Sequence, residues 1–474
     1  MTLLHRLRWL VSETVSPSPS DVPDRIAFVL VLLLVLAGTV LAPNSLSLPA
    51  AGGVYPAAEG LIFDVLAFLA ALAAFLSRTS PRSLRYLSIP FSAAIGMALL
   101  GVAQLLPLPE ELLQQIASVN LQIYHETAEI LTLFGRTPVP ARISIAPRQT
   151  AVAVLEILAA IAVFLAASAV LRTRRRRRAA FWTAAAGPLI PLVVGAVRAA
   201  VSPTRVDRPI PDGSVYGIAF LAALGILWAE VLTNSDRAVD SSDAGERFEK
   251  RFPPVAARLL LLLASAAGIV LARSWVAAVA AALSAGLVIT MGLSRRRGER
   301  ARRVGVAAGA AAGLVAIGTA VLAPAAQAQT AAGGAVDPEV ARTAIDAWRQ
   351  FPILGAGLGA FADAFRRVQP ADLPGYVDQA RSGPLQILVT GGAVGLALAV
   401  ALVVALLVGL ARAWRAQKHR EESAFALAGF GVLLFWTLEG FADFHSGETA
   451  VTMVLAATLG AAWAAGQAHG SRAT

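Results

Sequence analysis

Apolar residues in this chain gather into long unbroken blocks rather than recurring at the spacing of a half-buried strand or a surface helix. A helix that crosses lipid needs about 20 mostly apolar residues, because the hydrocarbon layer is roughly 30 Å thick. Blocks near that length lie at 26–41, 58–76, 87–106, 150–171, 179–200, 215–232, 255–272, 275–293, 304–322, 387–410, 423–438 and 449–465. The pattern predicts an all-α polytopic membrane protein of about 12 transmembrane helices. Its divisions are an interfacial N-terminus at 1–25, spans one to nine within 26–322, an external loop at 323–386, spans ten to twelve within 387–465, and a tail at 466–474.

Two external intervals are too long for simple connectors. Residues 107–149 open on Pro-Leu-Pro-Glu-Glu and read as an amphipathic helix lying on the surface. Within 323–386, helical stretches are expected near 337–350 and 358–368, and Trp348, Phe351, Phe361, Phe365 and Tyr376 give that loop material for a core of its own. At the start of the chain, Arg6, Arg8 and Trp9 precede the breaker run Ser16-Pro17-Ser18-Pro19-Ser20. No apolar core with a cleavage site directly follows those arginines, so the stretch reads as an interfacial helix, not a secretory signal.

Charge fixes the orientation. The chain is 57% hydrophobic and 15% charged, against roughly a quarter charged in soluble domains. Its net charge is +10, and most of its Lys and Arg fall in alternate loops, as cytoplasmic loops require. Both termini are therefore expected inside. The run Arg172-Thr173-Arg174-Arg175-Arg176-Arg177-Arg178 lies between two spans, where it reads as a topology anchor beside anionic lipid and not as a nucleic-acid patch. The chain has no cysteine, which excludes disulfides and thiolate chemistry.

Ionisable side chains within spans cost about 2.5–3.5 kcal/mol or more and mark function by default. Asp64, Glu156, Arg198 and Arg273, with Glu439 at a span end, are expected toward the outer leaflet, whereas Glu230 and Arg258 lie near the inner face. Asp443 and His445 occupy the last external turn. Outer loops add Arg205, Arg208, Arg342, Arg349, Arg366, Arg367 and Arg381. The positive-inside rule disfavours these arginines, so an anionic ligand is the simplest cause for them. A guanidinium fork bonds phosphate oxygens in pairs and stays charged.

The run Phe351-Pro352-Ile353-Leu354-Gly355-Ala356-Gly357-Leu358-Gly359-Ala360-Phe361 is not a nucleotide loop, since no Gly-Lys-Ser/Thr follows. It reads either as a tight turn into a helix, or as backbone N–H groups around Gly355 and Gly357 that help hold an anion. At this loop the chain resembles the O-antigen ligase and O-antigen polymerase superfamily of bacterial envelope proteins. Gln104-Leu105-Leu106-Pro107-Leu108-Pro109 resembles the family's Gln-x-x-Pro-Leu-Pro, and Ser144-Ile145-Ala146-Pro147-Arg148-Gln149-Thr150 its next span opening. Leu271-Ala272-Arg273-Ser274 stands where the family has a Ser-Arg pair. The glycine run is similar to Pro-x-x-Gly-x-Gly-x-Gly-x-Phe. Leu385-Gln386 with Gly391-Gly392-Ala393-Val394-Gly395-Leu396 is similar to Leu-Gln…Gly-x-x-Gly-Leu, and Ala442-Asp443-Phe444 resembles the Asp-Phe before the last span.

The resemblance implies a glycosyltransferase at the outer face of the bacterial inner membrane. Such an enzyme moves glycan, with inversion, from an undecaprenyl-pyrophosphate carrier to a hydroxyl on a lipid or saccharide acceptor, using no metal, ATP or other cofactor. It implies that Arg273, Arg349 and Arg381 contact pyrophosphate, with Arg342, Arg366, Arg205 and Arg208 near. The family's His-Asn before Leu-Gln is replaced here by Arg381-Ser382, and arginine is no general base. Either the base has moved to Asp378, Glu439, Asp443 or His445, or this member is a non-catalytic homologue in envelope assembly. A transporter or flippase for an anionic lipid, with Asp64 and Glu156 as ion sites, is the other alternative.

Overall fold

The structure is a computed structural model that describes residues 22–40, 56–76, 88–201, 213–237, 244–272, 274–294, 338–373, 375–417, 420–442 and 449–467. The regular elements among these residues are all helices. In chain order they are α1 Val22–Val40, α2 Pro56–Leu76, α3 Ser88–Leu105, α4 Glu110–Ile116, α5 Ser118–Leu133, α6 Pro147–Val170, α7 Arg174–Ala186 and α8 Leu189–Val201. Then come α9 Gly213–Arg237, α10 Ala244–Leu271, α11 Trp275–Ser294, α12 Pro338–Gln350, α13 Phe361–Arg366, α14 Gly383–Ala416, α15 Arg420–Gly440 and α16 Thr449–Gln467. Six stretches, in α1, α6, α11, α14, α15 and α16, are long and apolar enough to cross a membrane, and shorter apolar stretches lie at Ile62–Leu76, Pro90–Leu105, Gly213–Ala229 and Val255–Leu271. The chain is an all-α, multi-pass membrane protein. The expected ninth span, 304–322, and the N-terminal stretch lie outside the described residues.

The fifth expected span is two helices. Pro188 lacks an N–H and its ring opposes the carbonyl one turn back, so α7 stops at Ala186 and α8 restarts at Leu189. The interval 107–149, expected as one helix, is also two. They break at Ala117, whose φ is −155°. The returning chain reaches back to the start of α4 through an isolated bridge between Pro107 and Arg142.

Small residues let the helices approach closely, which is how helices gain packing energy in a lipid solvent as apolar as themselves. A Cβ on Gly38 would meet Val454 and Ala450, one on Gly429 would meet Ala462, and one on Gly225 would meet Ala428. The apolar window of α16 is 89% buried and that of α14 only 17%, so α16 is the central post and α14 a peripheral one. Val400, Val404 and Val408 on α14 form an exposed apolar column at one-turn spacing, suited to lipid tails.

At one end of the bundle the basic run forms ion pairs. Arg176 binds Asp24 at 2.6 Å, Arg174 and Arg178 hold Glu421 at 2.8 and 3.3 Å, and buried Arg177 grips Glu422. Four arginines of the run read as a topology anchor thus meet carboxylates within the fold, while Arg172 and Arg175 are exposed. The contacts bring the starts of α1, α7 and α15 to the same end of the bundle.

Candidate functional site

The opposite end of α6 and α14 carries a backbone knot. An unbroken α14 of 34 residues would be about 51 Å long, far more than a bilayer requires. It is interrupted at Gly392, with φ 64° and ψ −165°. In a continuous helix Ala393 and Val394 would donate to Val389 and Thr390, four residues back. Here they donate to Pro352 O and Ile353 O at 2.9 and 3.2 Å, while Val389 O and Thr390 O accept from Ala356 N and Gly357 N at 2.9 and 3.0 Å. The glycine run has entered the helix ladder and exchanged partners with it.

This exchange explains the glycines. Gly355, Gly357 and Gly359 have φ values of 75°, 120° and 79°, a region that side chains disfavour. A Cβ on Gly355 would strike Thr390 O, and one on Gly392 would strike Ile353 O. The N–H of Gly357 already donates to Thr390 O, so the hydrogen bonds give the run a turn-forming and helix-wedging task.

Gln104 locks the wedge. It is fully buried; its Nε2 donates to Leu354 O at 2.7 Å and Thr390 O at 3.1 Å, and its Oε1 accepts from Leu358 N at 2.9 Å. The segment opening α6 closes the other side. Ser144 N donates to Gln104 O and Ile145 N to Ala356 O, both at 2.9 Å. Ser144 and Thr150 share a hydroxyl contact of 2.7 Å. Tyr124 on α5 donates to Ser144 O at 2.8 Å. Burial pushes the Tyr124 phenol up, against the opposing pull of Arg142, which keeps it a donor. Asn120 on the same helix donates to Ile143 O.

A small apolar core lies behind the knot, built from Ala344, Ala347, Phe351, Phe361, Phe365, Ala380 and Val389, with Phe361 and Phe365 stacked at 5.4 Å. It anchors α12 and α13 against the start of α14. Thr343, Ala344 and Ala347 of α12 face that core, so Arg342, Asp346 and Arg349, one and two turns apart, share the exposed face. Arg349 pairs with Asp346 at 2.7 Å in an exposed contact, weak because water screens it.

Arg381 stands at the rim, where α14 begins. Among the described residues it is the one non-glycine with positive φ, at 50°, and its side chain is exposed. Gln386 clamps the turn from both sides: its Oε1 accepts from Ala380 N at 2.8 Å, and its N–H donates to Ser382 O at 2.8 Å. Asp378 is exposed nearby, and Arg366 lies over the Tyr376 ring at 4.4 Å. Glu439 is instead buried near the end of α15, one turn beyond Phe435, against which Gly217 of α9 packs. Ser274 packs on Gly213 and caps α11 through Ala277 N at 3.2 Å. Arg273, Arg205, Arg208, Asp443 and His445 lie outside the described residues.

Deeper in the bundle Glu156 accepts from Thr449 at 2.8 Å, and Asp64 on α2 is within its electrostatic reach. Glu156 of α6 thus meets the start of α16, with Asp64 of α2 near it.

Reading the sequence alone gave no role to Gln104, Ser144, Tyr124 or Gln386. Gln104, Ser144 and Gln386 stand in the motifs quoted above, which is the signal that could have found them; Tyr124 stands in none. No curated protein matches the chain. Residues 260–400, which run from α10 through the glycine wedge into α14, match the family model described as O-antigen ligase, so this stretch of the chain is similar to that family.

Proposed function

We propose that the chain transfers a glycan from an undecaprenyl-pyrophosphate carrier to a hydroxyl acceptor at the periplasmic face of the inner membrane, as a ligase or a polymerase. The observation that carries the reading is Arg381. It is an exposed guanidinium held in a left-handed turn by Gln386, beside a knot into which four motifs of the superfamily fold. Strained backbone of this kind costs about 1–3 kcal/mol and persists where its surroundings enforce it.

In the reaction the acceptor oxygen attacks the anomeric carbon and forms the new glycosidic bond. The bond to the pyrophosphate oxygen breaks, and the carrier leaves with both electrons. Charge grows on the pyrophosphate, where fixed cations lower the barrier. Arg381 is the leading contact, and Arg349, Arg342, Arg273, Arg205 and Arg208 are further candidates. The hydroxyl proton goes to a carboxylate or imidazole; Asp378 is the exposed candidate on the rim, with Asp443, His445 and Glu439 as others.

A second reading, a non-catalytic assembly homologue, is favoured by the same residue, because arginine stands where the resemblance expects the histidine. Purified protein in nanodiscs, given radiolabelled carrier-linked repeat unit and acceptor, separates them. Transfer by the native chain, reduced about 10- to 100-fold in Arg381→Ala as expected for a lost charge-assisted bond, supports the enzyme. An inert native chain supports the homologue.

A further inference from the structure

Tyr376 lies on the segment between α13 and α14 with 63% of its surface exposed. Arg366 covers one face of the ring at 4.4 Å, so the remaining exposure leaves the other face open. The ring is held in place from both sides along the chain. Before it, Gln369 donates to Leu373 O at 2.9 Å and Gly375 O at 3.0 Å and locks the turn. After it, Val377 packs on the small core, and buried Ala380 is tied to Gln386 at 2.8 Å. Arg366 is fixed in turn, because α13 buries Phe361 and Phe365.

A stack that served only to close the loop would bury the ring. This one presents it, with the ordering cost already met, which is the condition for useful binding. Exposed carboxylates flank it at Asp372 and Asp378. Lipid tails are repelled by that rim, and an anionic headgroup would meet two like charges. A glycan fits. Its C–H faces suit the electron-rich face of an aromatic ring, and its hydroxyls donate to carboxylates and accept from guanidinium. Arg381 follows Tyr376 by five positions, at most about 17 Å of extended chain, so one lipid-linked glycan can touch both.

We propose that Tyr376, braced by Arg366, is a stacking platform for the sugars of the lipid-linked substrate. It rests on the glycan-transfer reading but is tested apart from it. The probe is the host's repeat-unit oligosaccharide, released from its carrier, added to full-length protein in nanodiscs and followed by saturation-transfer NMR. Wild type and Tyr376→Phe are expected to give sugar C–H signals, and Tyr376→Ala to lose them. Equal signals in Ala and wild type, or a Phe variant as silent as Ala, overturn the platform whether or not the chain turns over. If wild type binds the sugar yet transfers nothing, the platform stands and the transferase reading fails. With turnover, Tyr376→Ala should raise KM for the full repeat-unit donor about 5- to 10-fold with kcat kept, and leave a single-sugar donor unchanged. An equal rise for both donors shows a general distortion and overturns the platform.

Discussion

Replacing Gln104 by Leu tests whether the wedge is held as described. The buried amide makes three hydrogen bonds, to Leu354 O, Thr390 O and from Leu358 N. Leucine keeps most of the volume and supplies none of them. Thr390 O still accepts from Gly357 N, so two groups are orphaned, the Leu354 carbonyl and the Leu358 N–H. At about 1–3 kcal/mol for each buried unsatisfied group, the loss is about 2–6 kcal/mol. The loss falls on the exchange between the run 352–358 and α14, so local opening should precede global unfolding. Limited proteolysis between 351 and 361 in detergent is the assay, with thermal unfolding in parallel. The expected result is faster cleavage in the run, a lower Tm, and a lower transfer rate as Arg381 loses its support. Wild-type protection and wild-type Tm in Gln104→Leu would refute the wedge.

Two other outcomes follow from the same geometry. Ala at Gly355 must adopt φ 75° and place its Cβ against Thr390 O, whereas Ala at Gly375 adopts φ 96° in open space. The second should cost only the backbone term, about 1–2 kcal/mol, and the first visibly more, read as folded yield by fluorescence size-exclusion. At the far end of the bundle, Arg177→Ala leaves Glu422 buried without its guanidinium. A loss of about 3–5 kcal/mol is expected, largely recovered in the double variant Arg177→Met, Glu422→Leu; equal Tm in all three forms would show the pair to be idle.

Much of the fold was legible because membrane helices are written as composition. Eleven of the expected spans correspond in position to described helices, the fifth of them to two helices that part at Pro188. The loop helices near 337–350 and 358–368 appear as Pro338–Gln350 and Phe361–Arg366. What could not be read was pairing. Nothing in Gly355 or Gly392 alone says that their backbones exchange hydrogen bonds, because each looks like an ordinary turn glycine until the other is beside it. The ion pairs of the arginine run 172–178 were hidden for a similar reason. Its counter-charges Asp24, Glu421 and Glu422 are distant in sequence, so the reading as a topology anchor did not include them.

The two ends of the bundle solve different physical problems. One end needs strength, and uses carboxylates and guanidinium groups partly removed from water, which hold three helix starts together. The other, in the reaction proposed above, needs precision where charge develops. Long arginine side chains are poor at precision on their own, since each has about 2 kcal/mol of rotamer freedom to lose. Fixing the backbone beneath them is the remedy, and a helix ladder filled by a second stretch of chain is stiffer than a loop. Gln386, in the first turn of α14, ties the Ala380 N–H and the Ser382 carbonyl to the helix that carries the ladder. Arg381 sits between those two tied residues, so its turn moves only if the ladder moves. On the proposed reading the glycines act on the anion at second hand, by fixing the turn from which the guanidinium projects.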